Sequence, residues 1–386
     1  MLQSLATKPG ESKGRLYKEA PCLYRNPFQR DKDRILRSNA FRRLQYKTQV
    51  FINHEGDHYR NRLTHSLEVA SIARSVCQYL GLSLDLAEAI SLAHDIGHTA
   101  FGHAGERALN TAMDVYGGFS HNVNSFKILV KLEQRYLGFD GLNLSWETID
   151  GLLKHNGPLK ENINPFIKNF CTNFNLPTND FSSLEAQIAA IADDIAYLSH
   201  DLEDSLRSGL LTFDELENIE EIAQYLVQLR KENITINTTQ LAYELSRKIT
   251  SFFIKDLVDS IIIKSNELNL KSSDDVRNAP CPVAILSNGA FKFLKDLKKL
   301  LYVKIYFSEK LKIIFTKAEY VIKSLFEYYM NNSKTLPLQF KNLVDKCSNE
   351  VDKAKIIADY IAGMTDRYAI SEFERIYNIQ FENIAL

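Results

Sequence analysis

Apolar positions recur every three to four residues along most of the chain, the spacing of one buried helical face. Residues 64–80 keep this period through Ala70, Ile72, Ala73, Val76 and Leu80, and Gly81 is a natural stop. Ser83 can cap a following helix with Asp85 in its first turn, where the dipole favours a carboxylate; it runs through LAEAISLAHDI to Gly97. A short loop, TAFGHAGE, opens another helix into 107–114. Further helices are predicted at 122–136, 145–154, 184–207, 213–230, 238–265, 286–331 (breaking into two) and 350–378. Residues 1–30, with Gly10, Gly14, Pro21 and Pro27, read as an arm. From Asp31 the string DKDRILRSNAFRRLQYKTQVF turns helical and then extended near Val50 and Phe51, and INHEGDHYRNR reads as a turn. The pattern predicts an all-α fold with at most a small β-hairpin near 48–60. The expected divisions are an arm at 1–30, a core at 31–210 and a C-terminal helical region at 211–386 packed on it.

Composition narrows the class. Of 386 residues, 25% are charged and 45% hydrophobic, which excludes a disordered chain, a collagen and a disulfide scaffold. Gly (16) and Pro (9) are scarce, consistent with long helices and few hairpins. Cys22, Cys77, Cys171, Cys281 and Cys347 form no C-x-x-C, which argues against thiolate-held zinc and for a reducing compartment. No run of 18 apolar residues is present and the first residues lack an apolar signal core, so the expectation is a cytoplasmic protein without membrane association. Net charge is −1, but Lys13–Lys47 holds eleven Lys/Arg against three acids and Lys292–Lys323 nine against three. Such runs are either solvated faces or footprints for a polyphosphate or nucleic acid.

Eight of the nine histidines lie between His54 and His155. His65 starts one predicted helix, and His94 and Asp95 end the next, with His98 one turn beyond if that helix persists. In the 184–207 helix, Leu184, Ile188, Ile191, Ile195, Leu198 and Leu202 share one face. Asp193, Tyr197 and Asp201 form a stripe roughly 140° away. That stripe is either a solvent face or the complement of the His/His/Asp set. A nitrogen and oxygen donor set without thiolate suits Mn²⁺, Fe²⁺, Mg²⁺, Ni²⁺ or Zn²⁺ with water in the open positions, and an open position beside a divalent ion is the arrangement of a hydrolase.

The set His65…His94-Asp95…Asp193 resembles the signature of the HD phosphohydrolase superfamily. The strings LAHDIGHTAFGHAGERALN, GLLKHNG, ADDIAYLSHDLEDSLRSGLL and DYIAGMTDRYA are similar to those of deoxyguanosinetriphosphate triphosphohydrolase-like proteins, densely over about 20–210 and again at 355–370. Ala100 departs from the proline expected in HDIGHTPFGH. The resemblance implies an HD-domain helical core and metal ligation by His65, His94, Asp95 and Asp193, with Mn²⁺ or Mg²⁺ as the first choices of metal. Asp194 lies about 100° off the stripe and is not preferred. The resemblance also implies a proton donor in His103, oriented by Glu106, with His98 and His121 lining a phosphate pocket. Arg62 and Lys154 are phosphate candidates. Gln49, Tyr197 and Asp201 would recognise the sugar, excluding a 2′-hydroxyl, and Arg367 would contact substrate or buttress the site.

The function implied is metal-dependent hydrolysis of deoxynucleoside triphosphates to deoxynucleoside and tripolyphosphate. One alternative is an HD-type phosphodiesterase or nucleotidase acting on another nucleotide; another is a nucleic-acid-binding regulatory protein with a weak HD site. The partners implied are a dNTP substrate, a second nucleotide or single-stranded DNA as effector, and further copies of the chain in a homo-oligomer.

Overall fold

The computed structural model describes residues 2–50, 59–159, 163–232, 237–306 and 308–384. The helices in chain order begin with α1 (Pro27–Arg37), α2 (Asn39–Arg43), α3 (Arg62–Leu80), α4 (Leu84–Ala93), α5 (Gly102–Ala112) and α6 (His121–Lys127). They continue with α7 (Trp146–Leu153), α8 (Pro165–Asn173), α9 (Leu184–Ser208), α10 (Phe213–Leu216), α11 (Glu220–Glu232) and α12 (Thr238–Glu267). The remainder are α13 (Ser273–Arg277), α14 (Asn288–Tyr306), α15 (Glu309–Asn331), α16 (Leu338–Val344), α17 (Glu350–Ala362) and α18 (Asp366–Tyr377). The fold is all-α. Of the strand pair expected near 48–60, residues 51–58 lie outside the described residues, and Thr48 and Asn61 form an isolated antiparallel bridge.

Local chemistry explains the boundaries. Ser183 accepts from Ala186 N–H at the start of α9, and Gly209, at φ 73°, closes it. The predicted 213–230 helix divides into α10 and α11, α10 being opened by a capping box between Thr212 and Glu215. The 286–331 stretch divides into α14 and α15, as its pattern predicts. The 350–378 stretch breaks after Ala362, and Thr365 caps α18 by accepting from Tyr368 N–H. The helix predicted at 122–136 ends its regular part at Lys127 and passes into a π-helical turn, Ile128–Leu132.

The chain forms two compact units, each built from separated stretches. The first comprises Met1–Leu36, His65–Ala93 and Asn143–Ser308; the second comprises Arg37–Thr64, His94–Leu142 and Glu309–Leu386. In the first unit α4, α7, α12 and α14 pack on α9, whose Leu184, Ile188, Leu198 and Leu202 are fully buried. The N-terminal stretch is fixed within this unit by buried carboxylates. Glu185 accepts from Thr7 N–H and its hydroxyl, each at 2.9 Å, and Glu147 accepts from the Ser12 hydroxyl and Lys13 N–H, each at 2.7 Å. In the second unit α15 packs on α5, α17 and α18 around Leu109, Val321, Leu325, Tyr329, Ile361 and Phe373. Full burial of such side chains contributes about 1.5–3 kcal/mol each.

Candidate active site

In the second unit a turn following α4 presents His94 and Asp95. The helix stops at Ala93, so His94 and His98 are not one helical turn apart as the pattern suggested; they flank a non-helical bend. Asp95 is buried, 2.6 Å from Arg62 Nη1, 3.1 Å from His98 Nε2 and 3.5 Å from His94 Nε2. Burial opposes its charge, but Arg62 and the two histidines outweigh it and hold the carboxyl well below its usual range. His98 is held well below the ordinary histidine value by burial and by the Arg62 charge, so its ring is neutral.

Four side chains of this unit converge. His98 stacks on His121 with ring centres 3.9 Å apart, and His103 meets both edge-on at 5.3 and 5.9 Å. Glu106 Oε1 accepts from His121 N–H at 2.8 Å and lies 2.7 Å from His121 Nδ1. Its Oε2 lies 3.3 Å from His103 Nδ1. Burial opposes ionisation of Glu106, but its bonds to His103 and His121 hold the carboxyl far below its ordinary range. The cluster is one neutral buried imidazole, His98, and two imidazoles on one ionised carboxylate, of which His121 is partly buried and His103 half-exposed. That is the composition of a proton-transfer site; its donor atoms, all within 4.8 Å of one another, would also accept a cation.

The first unit holds the remaining candidates on α3 and α9. His65, one turn after Arg62 on α3, places Nε2 2.9 Å from Asp193 Oδ1. His155 Nε2 lies 3.4 Å from Asp193 Oδ2. Asp194 points elsewhere and pairs with Lys298 on α14 at 2.5 Å. Behind His65 stands His200, which sequence reasoning missed: its Nε2 is 2.8 Å from His65 Nδ1, and its Nδ1 is 2.8 Å from Asp201 Oδ1. Burial disfavours a charged His200, but Asp201, with Glu68 and Asp204, raises its pKa nonetheless. The signal was available: His200 follows Asp193 by seven residues, two helical turns, and so falls on nearly the same face. Tyr197 meets His200 edge-on with ring centres 6.0 Å apart.

The other candidates divide. Gln49 belongs to the second unit, its Oε1 buried with no hydrogen-bond partner among the described residues. Arg367, exposed on α18, lies over the Tyr46 ring at 5.5 Å. Lys154, expected at a phosphate, is held by the protein's own carboxylates. Its ammonium is fully buried between Asp150 at 2.6 Å and Asp180 at 2.5 Å, so its charge is already matched by protein carboxylates. Arg62, equally buried, acts on Asp95. The candidate metal ligands thus stand as two pairs, His65 with Asp193 and His94 with Asp95. Nitrogen and carboxylate oxygen donors without thiolate fit a hard or borderline divalent ion.

Comparison with known proteins agrees with this chemistry. Residues 62–198 match the HD domain, and residues 284–375 match the phosphohydrolase-associated domain. Relatives from Rickettsia felis (49% identical, covering 100% of both chains) and Rickettsia bellii (47% identical, 100% of both) are each named deoxyguanosinetriphosphate triphosphohydrolase-like protein. A hypothetical protein of known structure from Aquifex aeolicus aligns over 80% of this chain and 79% of its own at 15% identity. Its TM-score of 0.31 is too low to inform the fold. With full-length relatives at close to half identity and a match to the HD domain, the chain belongs to the deoxyguanosinetriphosphate triphosphohydrolase-like family of HD-domain phosphohydrolases.

Proposed function

We propose that the protein is a metal-dependent deoxynucleoside triphosphate triphosphohydrolase. The observation that carries the reading is the His98–His103–Glu106–His121 cluster following directly on the HD pair, because it joins a proton-transfer group to a family of phosphohydrolases. His65, His94, Asp95 and Asp193 would hold the divalent ion, Mn²⁺ or Mg²⁺ first. When bound, such an ion lowers the pKa of water and neutralises charge on a phosphoryl oxygen.

The chain's own groups do the rest. Hydrolysis forms a bond from water oxygen to the α-phosphorus and breaks the bond to the 5′ oxygen, so the departing deoxynucleoside needs a proton. His103 supplies it, its ring oriented by the ionised Glu106 at Nδ1. His98 and His121 line the phosphates. Arg62 holds Asp95 ionised and in place. For His65 to offer Nε2 as a ligand, its Nδ1–H must donate to His200 Nε2, and His200 Nδ1 in turn lies 2.8 Å from Asp201 Oδ1. Gln49, Tyr197 and Asp201 select the sugar, Tyr197 by leaving no room for a 2′-hydroxyl.

The test is a panel of the four dNTPs, alone and mixed, and GTP, with Mn²⁺ or Mg²⁺, scored for tripolyphosphate. Release of tripolyphosphate from dNTPs and not from GTP is expected. Orthophosphate or pyrophosphate as the first product would overturn the reaction, and equal turnover of GTP and dGTP would overturn the account of the sugar pocket.

A further inference from the structure

Between His98 and His103 the chain turns through a conformation that a side chain outside the cluster holds in place. Phe101 has φ 61°, in the left-handed region that favours glycine, and Gly102 follows at φ 56°. A bulky residue stays in that region only where its surroundings over-determine it. α5 departs directly from this turn, with His103 in its first turn and Glu106 one turn on. The direction of the turn therefore sets where both groups stand relative to His98 and His121.

Asp366, the first residue of α18, is fully buried beneath the turn. Its Oδ1 accepts from Phe101 N–H at 2.8 Å. Its Oδ2 accepts from Thr48 N–H at 2.8 Å and from the Thr48 hydroxyl. Thr48 immediately precedes Gln49. A second tether reinforces the first: the buried Lys47 amine donates to the His98 carbonyl and, at 3.0 Å, to the Ala362 carbonyl at the end of α17. Space is also closed on the other side, since a Cβ on Gly102 would lie 3.0 Å from Arg62 Nη2.

We infer that Asp366 is a positioning residue. Its carboxylate holds the Phe101–Gly102 turn in its left-handed form, which places His103 and Glu106 against His98 and His121, and through Thr48 it holds the backbone that carries Gln49. Both carboxylate oxygens are needed as acceptors. An asparagine offers one acceptor and a donor amide, so it cannot accept from both Phe101 N–H and Thr48 N–H. The kinetic half of the test rests on the dNTP triphosphohydrolase reading; the spectroscopic half does not.

The experiment compares the full-length wild type with Asp366→Asn and Thr48→Ser, measuring dNTP hydrolysis and the imidazole NMR signals of ¹³C-histidine-labelled protein. Misplacement of a proton donor by a fraction of an ångström to one ångström lowers kcat by about 10- to 100-fold in Asp366→Asn, with KM changed less than about threefold. The His98, His103 and His121 signals should shift in that variant. Thr48→Ser, which keeps both donors, should stay within about twofold of wild type and leave the signals in place. A lowered melting temperature with full kcat and unmoved histidine signals would make Asp366 an ordinary core hydrogen-bonding group and overturn the inference. If Asp366→Asn does not fold, Asp366→Glu carries the test: it keeps charge and acceptors on a longer arm, so wild-type kcat and signals there would overturn the inference as well. A wild type that hydrolyses no dNTP would sink the functional reading, and the histidine signals alone would then decide the positioning role.

Discussion

Glu106 connects two histidines through opposite oxygens, and that division assigns different work to each. His121 is bonded by both its backbone N–H and its ring to one oxygen, whereas half-exposed His103 has only the other, leaving its Nε2 side to meet a substrate. His103→Ala is therefore expected to lower turnover about 10²- to 10⁴-fold with metal content unchanged, the usual worth of a proton-transfer group, and Glu106→Gln to lower it less. Near-wild-type tripolyphosphate release from His103→Ala would make the ring structural. His200 acts differently, since it touches His65 from behind. Loss of an outer-shell partner typically weakens metal binding 10- to 100-fold, so His200→Ala should raise the Mn²⁺ dissociation constant by that factor in titration calorimetry, with or without substrate. An unchanged constant would sever His200 from the metal pair. Part of the site was legible in spacing, since the i, i+4, i+8 stripe set Asp193, Tyr197 and Asp201 on one face, whereas His103 and Glu106 came from the family resemblance. His200 escaped because the stripe was followed by single turns and not by pairs of turns. The pairing of Lys154 with Asp150 and Asp180 was unreadable because a lone lysine in a motif carries no sign of carboxylates from elsewhere in the chain.

At the scale of elements, the long periodic helices α3, α9 and α12 were readable because each buries a continuous apolar face and carries a recognisable cap or stop. Several short helices were not. α8, α13 and α16 span nine, five and seven residues, too few turns for a periodic signal, and they form because packing and caps such as Asn164 and Ser272 complete them. The break between α17 and α18 was also unread, and it is this break that delivers the Ala362 carbonyl to Lys47 and Asp366 to the histidine turn. Lys47 has a measurable consequence. Burial first, with the Arg43 charge in support, pushes its amine down to about 7. The unfolded chain keeps that amine protonated up to about 10.4. Between these values the unfolded state binds the extra proton, so this group's contribution to stability rises with pH from about 7 to about 10 and is least at and below 7. Lys47→Met abolishes that dependence. Denaturant unfolding of both proteins at several pH values across this window should show the wild type gaining on the variant as pH rises; a constant difference would mean that the buried amine keeps its proton in the fold.

For the whole molecule, the two basic stretches part company. In Lys13–Lys47 much of the charge is spent internally. Arg15 meets Asp31, Arg30 and Arg34 share Glu19, Arg25 meets Asp33, Lys13 lies 3.9 Å over the Trp146 ring, and Lys47 is buried. The stretch that looks like a footprint in the sequence is largely scaffold. In Lys292–Lys323, Lys298 and Lys304 are paired with Asp194 and Glu215, but Lys292, Lys295 and Lys299 are exposed on α14 at i, i+3 and i+7, one face of the helix, with Lys295 set over Phe291 at 4.4 Å. Aromatic and cationic groups in a row are the elements of a polyanion contact, stacking on the one hand and phosphate neutralisation on the other. Among the polyanions met by an enzyme of the proposed function, single-stranded DNA is long enough to engage all three lysines, so it is the ligand we propose for this face. With turnover and substrate binding removed by Asp193→Asn, oligo(dT) should still bind, with an affinity that falls linearly in log–log form against salt. Reversing the three lysines to glutamate should reduce that slope by about 2, at about 0.7 per phosphate contact on a single strand. In the active protein the same oligonucleotide should alter dNTP turnover, since a ligand that favours one state of the protein shifts whatever that state does. Binding that survives the triple reversal with its slope intact would move the contact elsewhere. No binding at low salt would leave α14 with a solvated basic face and nothing more.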